Sequence, residues 1–229
     1  MAYITAQDVR DITAQDLTTS DISDSDLNDI INFAISQVNN DICTKITEEE
    51  VDYIDSYRKN LIDGSNTVYY VKSSFEWYLG DLNDDGTVDE NDAIVWIYDG
   101  SSYTRSKATV SSVTEYGKIT LSSAPSSTTD KITVTYRKCP VSVNTPDPLL
   151  KKACAELAAS IAYGGIDARE KKRVSIEGFS ISKDPQAERH YRKRYEQTIA
   201  QILSKEPMSK TEQEKFLREP EYYGMEKFV

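Results

Sequence analysis

Residues 23–42 read Ser-Asp-Ser-Asp-Leu-Asn-Asp-Ile-Ile-Asn-Phe-Ala-Ile-Ser-Gln-Val-Asn-Asn-Asp-Ile, and this stretch decides the character of the N-terminal part of the chain. Its apolar residues recur at the spacing of one helix face. They are Leu27, Ile30, Ile31, Ala34, Ile35, Val38 and Ile42. Ser23 is a favourable N-cap residue, and aspartates follow it at the positive end of the helix dipole. The stretch predicts a helix with one buried face, preceded by a shorter helix over about Thr5–Thr18.

The character of the chain changes near Asn60, where short runs rich in β-branched and aromatic residues begin. The clearest is 131–136, Lys-Ile-Thr-Val-Thr-Tyr, in which polar and apolar residues alternate. The runs predicted as strands are Thr67–Val71, Phe75–Leu79, Ile94–Tyr98, Lys107–Val113, Lys118–Leu121 and Lys131–Arg137. Several short strands separated by turn residues predict an antiparallel barrel or sandwich.

The helical period returns after Asn144. Asp147-Pro148 is typical of a helix start, and the apolar stripe that follows is predicted to end at Gly164-Gly165. A small hairpin is predicted over Val174–Ile181. A last helix is predicted from Asp184-Pro185 to about residue 205, and its polar face is basic, with Arg189, Arg192, Lys193 and Arg194.

These segments predict an α+β protein in four parts. Residues 1–57 form N-terminal helices, 58–143 a β domain, 144–205 C-terminal helices and 206–229 an extended arm. Neither helical segment is long enough to bury much surface alone. We therefore expect the two to pack together as one helical bundle domain into which an antiparallel β barrel or sandwich is inserted.

The charge of the 229-residue chain, formally −11, is unevenly distributed. Residues 1–57 hold 13 acidic and 2 basic side chains, whereas residues 144–205 hold 8 acidic and 12 basic ones. One interpretation is two solvated helix surfaces. The other is self-complementarity, in which an acidic face of one subunit meets a basic face of the next and closes a ring. The acidic balance disfavours a sequence-reading nucleic-acid binder but leaves non-specific DNA contact open.

Residues 81–92, Asp-Leu-Asn-Asp-Asp-Gly-Thr-Val-Asp-Glu-Asn-Asp, have the spacing of a calcium-binding loop. Such loops place oxygen ligands at fixed intervals around a sharp turn at Gly in position 6. The candidate ligands are Asp81, Asn83, Asp85, the carbonyl of Thr87, Asp89 and Asp92. Position 12 is Asp rather than Glu, and the flanking runs resemble strands rather than helices. The alternatives are therefore a Ca²⁺ site and a metal-free turn.

No catalytic constellation is evident. The sequence lacks a phosphate-binding glycine loop, a Gly-x-Ser-x-Gly elbow and a cysteine with a neighbouring histidine. His190, the only histidine, lies among basic residues and is interpreted as a surface or interface group. We expect no enzymatic activity.

The chain has no run of 18 apolar residues and no basic-then-apolar leader, so we expect neither a membrane span nor a secretory signal. Its three cysteines, Cys43, Cys139 and Cys154, have no metal-binding or redox spacing, and an odd number argues against a disulfide framework. We expect them to be small buried residues in a reducing compartment.

The layout resembles the head–tail connector (adaptor, head-completion) proteins of tailed viruses, in the form with an inserted β domain seen in archaeal tailed viruses. The segments that carry the resemblance are Ser23–Ile42, Tyr53–Asn66, Asp81–Asp92, Ile132–Arg137 and Val174–Ser180. The resemblance concerns the order of helices, strands and loops along nearly the whole chain.

This resemblance implies a mechanical function at the head–tail junction of a virion, after synthesis in the host cytoplasm. Connectors form a ring, typically twelvefold, beneath the capsid portal, and DNA passes through the lumen. Their C-terminal arms dock into the portal, while the other side of the ring receives the tail or a head-closure protein. Here the arm would supply aromatic anchors, which are Phe216, Tyr222, Tyr223 and Phe228.

Two parts of the chain have less definite roles in that picture. The basic helix would face a neighbouring subunit, the portal or DNA. The β domain would lie on the outer or capsid-facing side, held rigid by calcium. The alternative function is a calcium-stabilised binding or adhesion module with no catalytic activity. Such a module would be exported, and the missing leader argues against it.

Overall fold

The computed structural model describes residues 4–51, 54, 58–174 and 186–208, with the backbone alone for 167–174. The chain divides into two compact units. Unit 1 comprises Met1–Cys43, Asp84–Thr87 and Val143–Ser204, and unit 2 comprises Thr44–Asn83, Val88–Ser142 and Lys205–Val229. Among the described residues, the α-helices lie in unit 1 and the strands in unit 2.

Unit 1 is built from helices near both ends of the chain. They are α1 (Ala6–Ile12), α2 (Asp24–Ile42), α3 (Pro148–Val174) and α4 (Ala187–Leu203). Helix α3 packs against both α2 and α4, and α1 packs against α3. The buried face of α2 is the predicted apolar stripe except for Ile30, which is half-buried. The core of unit 1 therefore follows from helical periodicity.

The first two helices begin with side-chain caps. Thr5 and Asp8 form a reciprocal capping box, and the Ser23 hydroxyl accepts a hydrogen bond from the Asp26 N–H at 3.1 Å. The prediction of an N-cap at Ser23 is confirmed. Helix α1 ends at Ile12, earlier than the predicted Thr18, because Ala14 and Gln15 adopt positive φ angles of 52° and 63°.

The predicted end of α3 at Gly164-Gly165 is wrong. The helix continues through both glycines to Val174, since one glycine in a helix costs only about 1 kcal/mol. A Cβ atom at Gly164 would lie 3.3 Å from the carboxyl carbon of Glu188. The missing side chain therefore allows α4 to approach α3 closely. Residues 175–185, which include most of the predicted hairpin and Asp184-Pro185, lie outside the described residues.

A buried ion pair joins α3 to α4. The Glu156 side chain is completely buried, and its Oε1 accepts a hydrogen bond from Arg194 Nε at 2.9 Å. Its Oε2 accepts one from the Thr198 hydroxyl at 2.7 Å, and Lys152 Nζ lies 3.9 Å from Oε1. A buried charge must be paired and hydrogen-bonded to be tolerated, so these contacts specify how the two helices face each other.

Unit 2 contains two antiparallel sheets. The strands are β1 (Thr44–Glu50), β2 (Val68–Tyr70), β3 (Tyr78–Gly80), β4 (Ile94–Asp99), β5 (Thr104–Lys107), β6 (Val110–Val113), β7 (Lys118–Leu121) and β8 (Thr129–Cys139). One sheet has the order β1-β8-β4-β5 with β3 also paired to β8, and the other has the order β2-β7-β6. The antiparallel arrangement is confirmed, but the described strands do not close into a barrel, so the barrel alternative is corrected.

The strands differ from the prediction in three places. Strand β1 follows α2 directly, within the segment that the sequence assigned to the N-terminal helices. The predicted strand Phe75–Leu79 is shortened to β3 because the chain turns at Ser73–Trp77, with Phe75 at a φ of 65°. Of the predicted strand Lys107–Val113, Val110–Val113 form β6, whereas Lys107 is the last residue of β5, which belongs to the other sheet.

The alternation in β8 places its apolar side chains in the core. Ile132, Val134 and Tyr136 are buried, as predicted. Thr133 and Thr135, on the opposite face, are also buried, and the Thr135 hydroxyl accepts a hydrogen bond from the Glu48 N–H of β1 at 3.0 Å. Strand β8 is therefore covered on both faces, which periodicity alone did not indicate.

The cysteines depart from the expectation of three thiols. Cys43 and Cys139 are disulfide-bonded, and Cys154 of α3 is a buried free thiol. The prediction from the odd number of cysteines was wrong, because an odd number excludes only the case in which every cysteine forms a disulfide. The spacing of the cysteines along the chain does not show which of them meet in the fold.

Candidate functional site

The exposed face of α2 is acidic. The helix carries four aspartates and no basic residue. Asp26 and Asp29 are exposed and lie two turns and one turn before Phe33 on the same side of the helix. Phe33 is 60% exposed. This face therefore presents an aromatic side chain next to negative charges.

The exposed face of α4 is predominantly basic. Of the four predicted basic residues, Arg189, Arg192 and Lys193 are exposed. Arg192 Nε lies 3.8 Å from Glu196 Oε1 one turn away, and both side chains are more than half exposed. Leu203, at the end of the helix, is 54% exposed.

The fourth basic residue, Arg194, does not belong to that exposed face. It is half-buried and paired with Glu156, as described above, and its guanidinium lies 5.6 Å from the ring centroid of Tyr191. Arg194 therefore joins two helices of unit 1. His190 is exposed and has an edge-on contact with Tyr191, a geometry that fits a surface group.

The loop at 81–92 places two carboxylates in the interior of unit 2. Asp81 and Asp92 are both fully buried. Asp92 closes the loop, since its Oδ2 accepts the N–H of Asp89 at 2.8 Å and its Oδ1 accepts the N–H groups of Leu82 and Asn83. Burial raises the pKa of Asp92 to about 6, and the charge of Asp81 adds to the rise while the three N–H donors oppose it.

The other candidate ligands lie nearer the surface. Asp85 is exposed, and its Oδ1 accepts hydrogen bonds from the N–H and hydroxyl of Thr87. Asp89 is half-buried and caps a 3₁₀ turn through its Oδ1, which accepts from the Asn91 N–H. Asn83 is exposed. Several of the candidate oxygens are thus engaged by donors of the loop itself.

Within the described ranges, no group of three or more acidic, histidine or cysteine side chains is arranged to hold a metal ion. Asp81 and Asp92 are the two candidate ligands that burial places in one environment. Carboxylate oxygens are the ligands that a hard cation such as Ca²⁺ prefers. The calcium assignment therefore stays a prediction.

A cluster of aromatic and charged residues on the five-stranded sheet was not singled out by the sequence. The Arg105 guanidinium lies 3.9 Å from the Trp96 ring centroid and 5.4 Å from that of Tyr98. Lys131 Nζ lies 5.0 Å from the Tyr98 centroid, and Arg105 also forms an ion pair with Glu48. Antiparallel pairing sets Tyr98 opposite Arg105 and Lys131. Cation–π contacts of this kind stabilise neighbouring strands.

The proposed docking arm lies almost entirely outside the described residues, including its aromatic residues Phe216, Tyr222, Tyr223 and Phe228. The part that is described ends at Met208, which is buried and whose N–H donates to the Glu76 carbonyl at 2.8 Å.

In the part of the chain that the structure describes, no helix is both long enough and apolar enough to cross a lipid bilayer. Comparison of the chain with protein-family models, with curated proteins and with solved structures gives no match. Any functional conclusion must therefore come from the surfaces just described.

Proposed function

We propose that the protein is a non-catalytic structural component of a tailed virion, a head–tail connector that forms a ring between the capsid portal and the tail. The observation that carries the proposal is the presence, in one helical unit, of an acidic outward face on α2 and a basic outward face on α4. A subunit with two complementary faces on different helices can bind its own copies head to tail, and such contacts generate rings when the rotation closes.

The organisation of the chain supports the same proposal. Helices from both the N-terminal and the C-terminal parts of the sequence belong to unit 1, and most of the intervening residues belong to unit 2. We interpret this as a helical bundle with an inserted β domain, the layout expected of the connector form that the sequence resembles.

The remaining roles follow from the proposal. The arm at 206–229 docks into the portal through its aromatic side chains, and the opposite side of the ring receives the tail or a head-closure protein. DNA in the lumen makes non-specific contacts, and the β domain faces outward or toward the capsid. Since the function is structural, no catalytic residue is required.

The proposal is tested by electron microscopy of the full chain co-expressed with the portal protein of the same genome. A ring of this chain beneath the portal is expected, together with recovery of the protein from purified virions. Absence from virions, or a portal that remains bare at every concentration ratio, would overturn the connector assignment.

The docking arm has a separate test. A chain that ends at residue 208 should lose portal binding while its circular dichroism spectrum and melting curve stay unchanged. A second variant, the full-length chain with alanine at the four arm aromatics, should also lose portal binding; these are Phe216, Tyr222, Tyr223 and Phe228. If both variants dock as the wild type does, the arm is not the portal anchor.

A calcium-stabilised binding module is the second candidate, and the burial of Asp81 and Asp92 favours it. Calcium titration by calorimetry distinguishes the two candidates when combined with localisation. A module of this kind requires calcium for binding to its target and is absent from virions, whereas a connector is present in virions whether or not the loop is occupied.

A further inference from the structure

Unit 1 exposes two large apolar side chains within its described residues, and they lie on faces of opposite charge. Phe33 is on the acidic face of α2 and Leu203 is on the basic face of α4. Single exposed apolar residues are ordinary on protein surfaces. Two of them on oppositely charged faces of one unit form a complementary pair.

The face of α2 has a defined composition. Asp26, Asp29 and Phe33 lie on one side of the helix, opposite its buried stripe, and all three are exposed. Phenylalanine contributes a large contact area at low conformational cost. Negative charges around it would repel another acidic surface and attract a basic one.

The face of α4 has the opposite character. Arg192, Ile199 and Leu203 recur at seven-residue and four-residue intervals and therefore lie along one stripe of the helix. Ile199 is half-buried and Leu203 is exposed. Arg189 and Lys193 lie beside the stripe, and the exposed acidic residues Glu188 and Glu196 each lie one turn from Arg192. The strip of Ile199 and Leu203 therefore lies on a face with three exposed basic and two exposed acidic side chains, a small net positive charge.

We propose that the acidic face of α2, centred on Phe33, binds the basic face of α4 of a second copy of this chain, with Phe33 packing on Ile199 and Leu203. The inference rests on the proposed connector function, because it names the contact between neighbouring subunits of the ring. The occupant is a second copy because the two faces match each other in charge and in apolar content.

The two faces lie on different helices of unit 1. Helices α2 and α4 both pack on α3 with their buried sides, so their outward sides are available to neighbours. If the two faces of one subunit bind two different neighbours, the contact is heterologous and forms a closed ring or an open filament. The connector function requires this arrangement, and a reciprocal contact of both faces with one neighbour would instead give a two-fold dimer.

The first experiment measures self-association of the full chain by sedimentation velocity over a range of concentrations. Phe33→Ala and Leu203→Ala should each weaken association by roughly tenfold or more, as expected for central interface residues. Tyr103→Ala is the matched control, because Tyr103 is the most exposed aromatic residue among the described residues of unit 2 and lies on neither face. An equal effect of all three variants, or no effect of the first two, would overturn the proposal.

Charge reversal provides a test that loss of folding cannot imitate. Reversing Asp26 and Asp29 to lysine should weaken association, and so should reversing Arg189, Arg192 and Lys193 to glutamate. Placing both sets in one chain should restore association, since every interface then regains opposite charges. Failure of the combined variant to recover, while its melting curve matches the wild type, contradicts the assigned faces.

A disulfide trap detects self-association that is too weak to be measured by sedimentation. Phe33→Cys with Leu203→Cys in one chain should give a ladder of covalent oligomers under oxidation, whereas either change alone should not extend beyond dimers. A chain that is monomeric by sedimentation and forms no ladder overturns the proposal.

If rings form on the portal but are insensitive to these changes, the assigned faces are wrong and the connector function stands. If the faces associate but the protein is absent from virions, the connector function is wrong and the contact stands.

Discussion

The buried ion pair between α3 and α4 gives the sharpest prediction for stability. Arg194→Met keeps an unbranched apolar stem but removes the guanidinium and its charge from Glu156. The completely buried carboxylate then retains only the Thr198 hydroxyl, at 2.7 Å, and Lys152 Nζ at 3.9 Å. We expect this substitution to destabilise unit 1.

The size of the effect follows from what remains around Glu156. Leaving one member of a buried pair uncompensated costs about 3–5 kcal/mol. Because Thr198 and Lys152 still face the carboxylate, we expect a loss of about 2–3 kcal/mol. The double substitution Arg194→Met with Glu156→Met removes both charges and should be more stable than Arg194→Met alone, since replacing a whole buried pair by apolar groups is often neutral.

Urea unfolding followed by far-ultraviolet circular dichroism measures these differences. Arg192→Met is the matched control, because its partner Glu196 is exposed and the pair should contribute at most about 0.5 kcal/mol. The reasoning is refuted if Arg194→Met is as stable as this control. It is also refuted if the double variant is less stable than Arg194→Met alone.

Three further predictions concern the unfolding of the protein under other changes. Since burial raises the pKa of Asp92 from 3.8 to about 6, the folded state holds this proton more tightly than the unfolded state, and stability falls as pH rises. With chelator present, the free energy of unfolding should drop by up to about 3 kcal/mol between pH 4 and pH 7 relative to Asp92→Asn; equal pH profiles would contradict this. If the loop binds calcium, chelator should lower the melting temperature of the wild type but not of the Asp81→Ala, Asp85→Ala variant, and an unchanged wild-type midpoint would identify a metal-free turn. Gly117→Ala should cost about 2 kcal/mol or more, because φ is +90° and its Cβ would lie 2.6 Å from a neighbouring Cβ; Gly64→Ala, with a φ of +82° and 3.4 Å of clearance, should cost less.

Regular elements with strong periodicity were predictable from the sequence. Helix α2 begins at its predicted cap residue, Ser23, and buries nearly all of its predicted stripe. The alternation at Lys131–Tyr136 correctly places Ile132, Val134 and Tyr136 in the core. These predictions succeed because periodicity and capping act over a few residues and do not depend on distant parts of the chain.

Features that depend on distant partners were missed. The close approach of α4 to α3 at Gly164 requires both helices, and the pairing of Arg194 with Glu156 joins residues 38 positions apart. The contact of Arg105 with Trp96 requires the register of β4 and β5. In each of these cases a tertiary contact outweighs a weak conformational preference of the local sequence. The sequence shows the local preference but not which distant residues come into contact.

The same division applies to charge and function. The sequence by itself determined that the N-terminal part is acidic, that residues 144–205 are basic, and that an oxygen-rich loop interrupts the β segment, because these are properties of composition and spacing. Only the tertiary structure decided which charges remain exposed. In the structure Arg194 is half-buried, whereas Arg189, Arg192 and Lys193 are exposed. Asp81 and Asp92 are both buried. The physical reason is that the cost of removing a charged side chain from water depends on where folding places it. A buried charge is tolerated only when it is paired and hydrogen-bonded, whereas an exposed charge stays hydrated.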